Sequence, residues 1–392
     1  CGFPLCCPFR GSLLTGLYPH QCVPGHEYPL HKDQPTLAHV FNDAGYQTAY
    51  FGKWHLDGYH ESEGRAAYHT VSPERRGGFQ TWIGYENNNS QWDCIVHGHD
   101  VIEKEHWRLP GYETDALTNL LNSWLQNQGK ADQPFFAVLS VQPPHDPYVA
   151  PPEWMARHHP AHIKLRPNVP AVARIEKAAR SDLAGYYAQI ENLDWNLGRI
   201  QKTLYETGLI FNTRLFFFSD HGDMHGSHGQ FRKTTPFEEA IRIPFLISQQ
   251  GLYYQGAEAV PVLLNHVDIA PTTLGLCGLS KPDWMHGTDF SPYALRNSAK
   301  RCVPDSAFIQ SVVPTGHHHS IDKPWRGVIT DDGWKYVCLP GIEWLLFNLS
   351  EDPYEQVNLA HNSLYLAERR QLNHRLRQWI DETGDRFDLP NL

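Results

Sequence analysis

The stretch Thr48-Ala49-Tyr50-Phe51-Gly52-Lys53-Trp54-His55 sets the fold of this chain. Its first half is short and uncharged, and a glycine, a lysine and a histidine follow at once. Continuous runs of this length suit strands of a parallel sheet covered on both faces. Phe135–Val141, Leu215–Phe218 and Ile243–Ile247 read the same way. Helical patterns alternate with them. Pro35–Ala44 opens on proline and stops at Gly45, while Asp115–Gln126 and Ser181–Thr207 carry apolar residues at helical spacing. This alternation predicts an α/β fold with a mostly parallel central sheet flanked by helices, its site at the carboxyl ends of the strands.

The tail reads differently. Strand-like runs at Phe308–Val312, Gly327–Ile329, Lys335–Cys338 and Trp344–Phe347 precede a helical pattern from Leu364 to Asp381. A smaller C-terminal antiparallel sheet plus helix is expected over residues 301–392, beside a catalytic domain over 1–300.

Composition narrows the function classes. The chain has 392 residues, 41% of them hydrophobic, enough for a substantial core. Its formal net charge of -10, with no long basic run, argues against nucleic-acid binding. An anionic substrate therefore needs a local positive pocket. No apolar run approaches the length of a membrane span. The eight cysteines, Cys302 among them, are scattered along a large chain and do not read as a disulfide scaffold.

Four motifs carry chemistry. The first is Cys6-Cys7-Pro8-Phe9-Arg10, followed by Leu14-Thr15-Gly16. Pro8 suits the first turn of a helix that Gly16 would end. Free N–H groups at such a start attract an anion, worth about 0.3–1 kcal/mol when exposed. Arg10, one turn on, can add charge-assisted hydrogen bonds. The second is Gly52-Lys53-Trp54-His55, the third Pro144-His145-Asp146-Pro147 after the run Phe135–Val141, and the fourth Ser219-Asp220-His221-Gly222-Asp223 with Lys233 beyond it. Taken singly, a lysine or histidine at a strand end is unremarkable.

In this order the motifs resemble those of the formylglycine-dependent sulfatases, within the alkaline-phosphatase-like superfamily, and the likeness extends over nearly the whole chain. The resemblance implies a sulfuric ester hydrolase. Cys6 would be oxidised to formylglycine by a formylglycine-generating enzyme, and its hydrate would attack the ester sulfur. Arg10 would orient the nucleophile or the anion, Lys53 and Lys233 would bind the sulfate, and His145 would give a proton to the leaving oxygen. His55 would act on the formylglycine hydroxyl once sulfate is to be expelled. Asp220 and His221 would hold a divalent metal, Ca²⁺ or else Mg²⁺, although one imidazole is unusual for a hard cation. Phe9 stands where the family commonly has serine.

The family also places paired acidic metal ligands on a strand before the formylglycine motif, and only five residues precede Cys6 here. The expectation is a longer natural gene product, periplasmic or secreted. Two other readings stay open: a phosphodiesterase or phosphonate monoester hydrolase of the same superfamily, and an inactive homologue that binds sulfated glycans. Trp82, Tyr85, Trp92, His97, His99 and Trp107 are candidates to line a sugar subsite.

Overall fold

A computed structural model of the chain describes residues 1–98, 105–248, 259–295, 304–316 and 321–392. His99 and Cys302 lie outside the described residues, as does the division expected at residue 300. The first sheet contains β1 (Gln47–Lys53), β2 (Thr81–Tyr85), β3 (Ile95–Gly98), β4 (Trp107–Arg108) and β5 (Phe135–Ser140), in the order β4-β3-β2-β1-β5. β1 runs parallel to both β2 and β5, and the edge strands β3 and β4 are antiparallel. The sheet is mixed and flanked by helices, which places the chain in the expected fold class.

β1 shows why its run is apolar throughout. Successive side chains point to opposite faces. Ala49 and Phe51 pack on Leu121 and Leu125 of α3 (Glu113–Gln128) and on Ile200 and Leu204 of the long helix Ala173–Glu206. On the other face Tyr50 meets Trp54, Trp82, Cys7 and Leu14, the last two from α1 (Cys6–Thr15), and Ala38 of α2 (Leu37–Asp43). Full burial of one such aromatic side chain contributes about 1.5–3 kcal/mol.

β6 (Leu215–Phe218) pairs with β7 (Phe245–Ser248) in a separate antiparallel ribbon. The run Ile243–Ile247, read as a strand of the parallel sheet, therefore runs against its neighbour. Residues 219–244 hold only short helical turns, so no crossover helix carries the chain back to a parallel start. Among the described residues, β5 pairs only with β1 and β6 only with β7. Between β5 and β6 lies a cavity of about 1190 Å³, walled by Phe136 and Val138, by Phe216 and Phe218, and by Phe41.

The C-terminal sheet holds β8 (Ser306–Ser311), β9 (Trp325–Thr330), β10 (Trp334–Leu339) and β11 (Ile342–Asn348), antiparallel in the order β11-β10-β9-β8. The helix Leu366–Thr383 covers one face through Leu372, Leu376 and Ile380 against Phe308, Val328 and Tyr336. The other face, with Ile309, Val337 and Leu345, packs on Met224 and Phe237. No helix among the described residues is long and apolar enough to cross a membrane.

Candidate active site

The site forms where α1 begins. Leu5 is extended (φ -154°, ψ 138°), the helix starts at Cys6, and Gly16 closes it at φ 65°. Cys6 is buried, and its sulfur lies 3.3 Å from Lys233 Nζ, which donates to it, and 3.2 Å from His221 Nε2. Arg10 reaches Ser140 Oγ at 3.2 Å and Asp220 Oδ2 at 3.5 Å. Lys53 ends β1, Ser140 ends β5, and Asp220 and His221 follow β6. The carboxyl ends of three strands thus converge on the start of one helix.

Positive charge dominates this point. Burial alone would push the Cys6 thiol up, but Lys233, Lys53 and His221 outweigh it and hold the thiol well below its ordinary range. Burial lowers Lys53, whereas Lys233 rises despite burial because Cys6 and Asp220 face it. An anion placed here meets two buried ammonium groups and a guanidinium.

His145 stands on the other side of Lys233. Lys233 Nζ lies 3.0 Å from His145 Nε2, and His145 Nδ1 lies 2.8 Å from the Asp146 carbonyl. Ammonium is a donor and carbonyl an acceptor, so Nδ1 carries the proton and Nε2 accepts. Burial, then Lys233 and Lys53, hold this histidine neutral. Its loop is tied down by residues that the motifs did not flag. Gln91 Nε2 donates to the His145 carbonyl at 3.0 Å. The Glu113 carboxylate accepts from Gln142 N at 2.7 Å and from the Tyr85 hydroxyl at 2.6 Å.

His55 follows β1 with φ 56°, in the left-handed region that few residues adopt. Burial, with Lys53 second, lowers it to about 3. Its loop is held by Glu86, whose carboxylate accepts from the N–H groups of Leu56, Asp57 and Gly58 at 3.2, 2.9 and 3.0 Å. An acid directly after β2 was the available signal for Glu86, but only the folded chain brings it to this loop.

Asp220 and His221 sit together at residue 6, and ligand atoms of Cys6, Asp220 and His221 all lie within 4.8 Å of one another. His221 Nδ1 faces the Gly222 carbonyl at 2.8 Å, which leaves Nε2 as a lone-pair donor toward residue 6. A carboxylate oxygen beside an imidazole nitrogen so oriented fits part of a divalent-cation shell.

All eight residues expected at the site are therefore gathered at the strand ends. Of the sugar-subsite candidates, His99 lies outside the described residues and Trp107 is half-buried. Trp82, Tyr85 and His97 are core residues, because β2 and β3 turn them inward. Trp92, by contrast, is 48% exposed, edge-on to Tyr112 at 5.3 Å.

Comparison with known proteins decides what this constellation belongs to. The sequence profile of the family named Sulfatase matches residues 1–279. An ulvan-active sulfatase of Formosa agariphila is 33% identical over 391 residues, covering 98% of this chain and 73% of the relative. The chain belongs to the sulfatase family. As a sulfatase it is a sulfuric ester hydrolase. A second profile, N-sulphoglucosamine sulphohydrolase, C-terminal, matches residues 226–382 of this sulfatase. A Bacteroides thetaiotaomicron structure solved in work on glycosaminoglycan metabolism superposes with TM-score 0.85 at 26% identity, over 98% of this chain and 85% of that one. A protein in complex with its substrate D-glucosamine-2-N,6-O-disulfate shares the fold, with TM-score 0.84 at 21% identity, over 98% and 89%.

Proposed function

We propose that this sulfatase removes sulfate from carbohydrates, with residue 6 as nucleophile after a formylglycine-generating enzyme has oxidised Cys6. The observation that carries the reading is Lys233 lying within 3.3 Å of Cys6 Sγ and 3.0 Å of His145 Nε2. One ammonium group touches both the attacking position and the proton carrier. Formylglycine supplies a hydrated aldehyde oxygen, and a divalent cation, Ca²⁺ or else Mg²⁺, supplies charge beside it when Asp220 and His221 hold it.

The chain's own residues do the rest. Lys53 and Lys233 hold the sulfate oxygens, and Arg10 fixes Asp220 and faces the anion. A bound sulfate offsets the two ammonium charges that keep His145 neutral. Binding thus raises the affinity of Nε2 for the proton that it delivers to the leaving oxygen. His55, neutral and enclosed, takes the proton from the hydroxyl at residue 6 in the second half of the reaction. Carbohydrate as substrate class rests on the ulvan-active relative, and on Trp92 standing exposed next to Gln91, which bonds the His145 loop. A periplasmic or secreted location and a division near residue 300 go with this reading.

The test assays purified, matured protein on sulfated oligosaccharides, an aryl sulfate and an aryl phosphonate, with peptide mass spectrometry of residue 6. Sulfate release with an aldehyde at residue 6 is expected. Faster turnover of the phosphonate, or full activity in Cys6→Ala, would overturn it.

A further inference from the structure

Cys7 follows the nucleophile position but turns away from it. It is wholly buried on α1, and its sulfur joins the imidazoles of His26 and His55. One ligand atom from each of the three lies within 4.8 Å of the others. The two rings are perpendicular, with centroids 5.5 Å apart. His55 is only 3% exposed, and neither of its ring nitrogens makes a hydrogen bond, although the Cys6 sulfur lies near. In the proposed reaction one ring nitrogen serves the hydroxyl at residue 6, and a second buried nitrogen is costly unless a partner engages it.

The donor set selects the cation. Thiolate with two imidazoles suits a borderline-soft ion such as Zn²⁺, whereas Ca²⁺ and Mg²⁺ prefer oxygen. A carboxylate stands beside the cluster: Glu27 Oε1 lies 3.6 Å from His26 Nε2, and it also accepts from Glu61 N at 2.8 Å. The His26 side chain is 22% exposed, which gives an entry from solvent.

We propose that Cys7, His26 and His55 form a binding site for a borderline-soft divalent cation, separate from Asp220 and His221, and that its occupation withdraws His55 from the reaction. On binding, a Zn–S bond forms as the Cys7 S–H bond breaks, and the proton passes to bulk buffer. The imidazoles donate lone pairs, and no electron is transferred. Burial pushes the Cys7 thiol up and opposes this loss, while the cation's own charge favours it. The inhibitory half rests on His55 acting in turnover; the binding half does not.

The experiment uses matured enzyme saturated with Ca²⁺, so that Cys6 is no longer a thiol, and titrates it with Zn²⁺ and with Co²⁺. Expected are one equivalent of Zn²⁺, a thiolate-to-cobalt charge-transfer band, and turnover that falls with occupancy. Cys7→Ser should lose the band, bind Zn²⁺ at least about tenfold more weakly, and keep turning over where the parent stops. His26→Gln, at a partly exposed position, should also weaken binding and covers the case in which Cys7→Ser does not fold. A band that survives Cys7→Ser, or Zn²⁺ affinity unchanged in both variants, would overturn the site. Binding with undiminished turnover would overturn the inhibitory half alone.

Discussion

Lys233 makes two contacts at the centre of the site. Its ammonium group donates to residue 6 and to His145 from a buried position. Charge-assisted bonds contribute about 1.5–3 kcal/mol each, so Lys233→Ala should lower kcat/KM by about 10²-fold or more. The unfolding midpoint should stay close to that of the parent; near-normal turnover would reject the role. His145→Ala should cost most on poor leaving groups, since an activated aryl oxygen departs without a proton. A series of substituted aryl sulfates checks this, and an equal loss throughout contradicts it. Glu86 supplies a test of stability instead. Burial, with Asp57 second, raises its carboxyl to about 7 from an ordinary 4.5. The native state therefore favours the protonated form. The stability this gives is present below the unfolded value and is lost as pH rises from about 4.5 through 7, by on the order of 3 kcal/mol at most. Urea unfolding of the parent at pH 5 and pH 8 should show that loss, and Glu86→Gln should show less of it. Identical pH slopes would refute the assignment.

At the scale of elements, the pairing of β1 with β5 leaves no room for a side chain at Gly52. Its φ is 106°, and a Cβ there would overlap the Ser140 carbonyl oxygen on the paired strand. Gly52→Ala should part the two strand ends that carry Lys53 and Ser140. Loss of several kcal/mol is expected, of the order seen when a strained position and a steric clash combine. Thermal unfolding reads it, and an unchanged midpoint would count against the register. The same strand shows what sequence makes legible. Thr48–Phe51 carries no charge, and Ala49, Tyr50 and Phe51 are buried because helices cover both faces, which composition reports directly. Motif residues such as Cys6, Lys53 and Asp220 are legible through the family resemblance, and their places at a helix start or after a strand agree with it. β2, β3 and β4 offer little period to read because they are short, with Gly84 inside β2 and Gly98 ending β3. Without the strands, their aromatics read as candidates for a sugar subsite, although Trp82 and Tyr85 belong to the core. Glu86 and Glu113 were not visible because their task is to hold backbone N–H groups of loops that only folding brings near.

Across the whole molecule, one buried lysine ties the C-terminal sheet to the larger body. Lys335 of β10 is fully buried and contacts Glu355 at 2.6 Å, Glu238 at 2.7 Å and the Pro236 carbonyl at 3.0 Å. Removing it strands two carboxylates, which typically costs about 3–5 kcal/mol. Lys335→Met should lower the free energy of unfolding read from urea titration by that amount, and a change under about 1 kcal/mol would show that the sheet docks through Met224 and Phe237 instead. Through Lys335 and the contact of Met224 and Phe237 with the C-terminal sheet, the two sheets are coupled, so a calorimeter should register one heat-absorption peak rather than two.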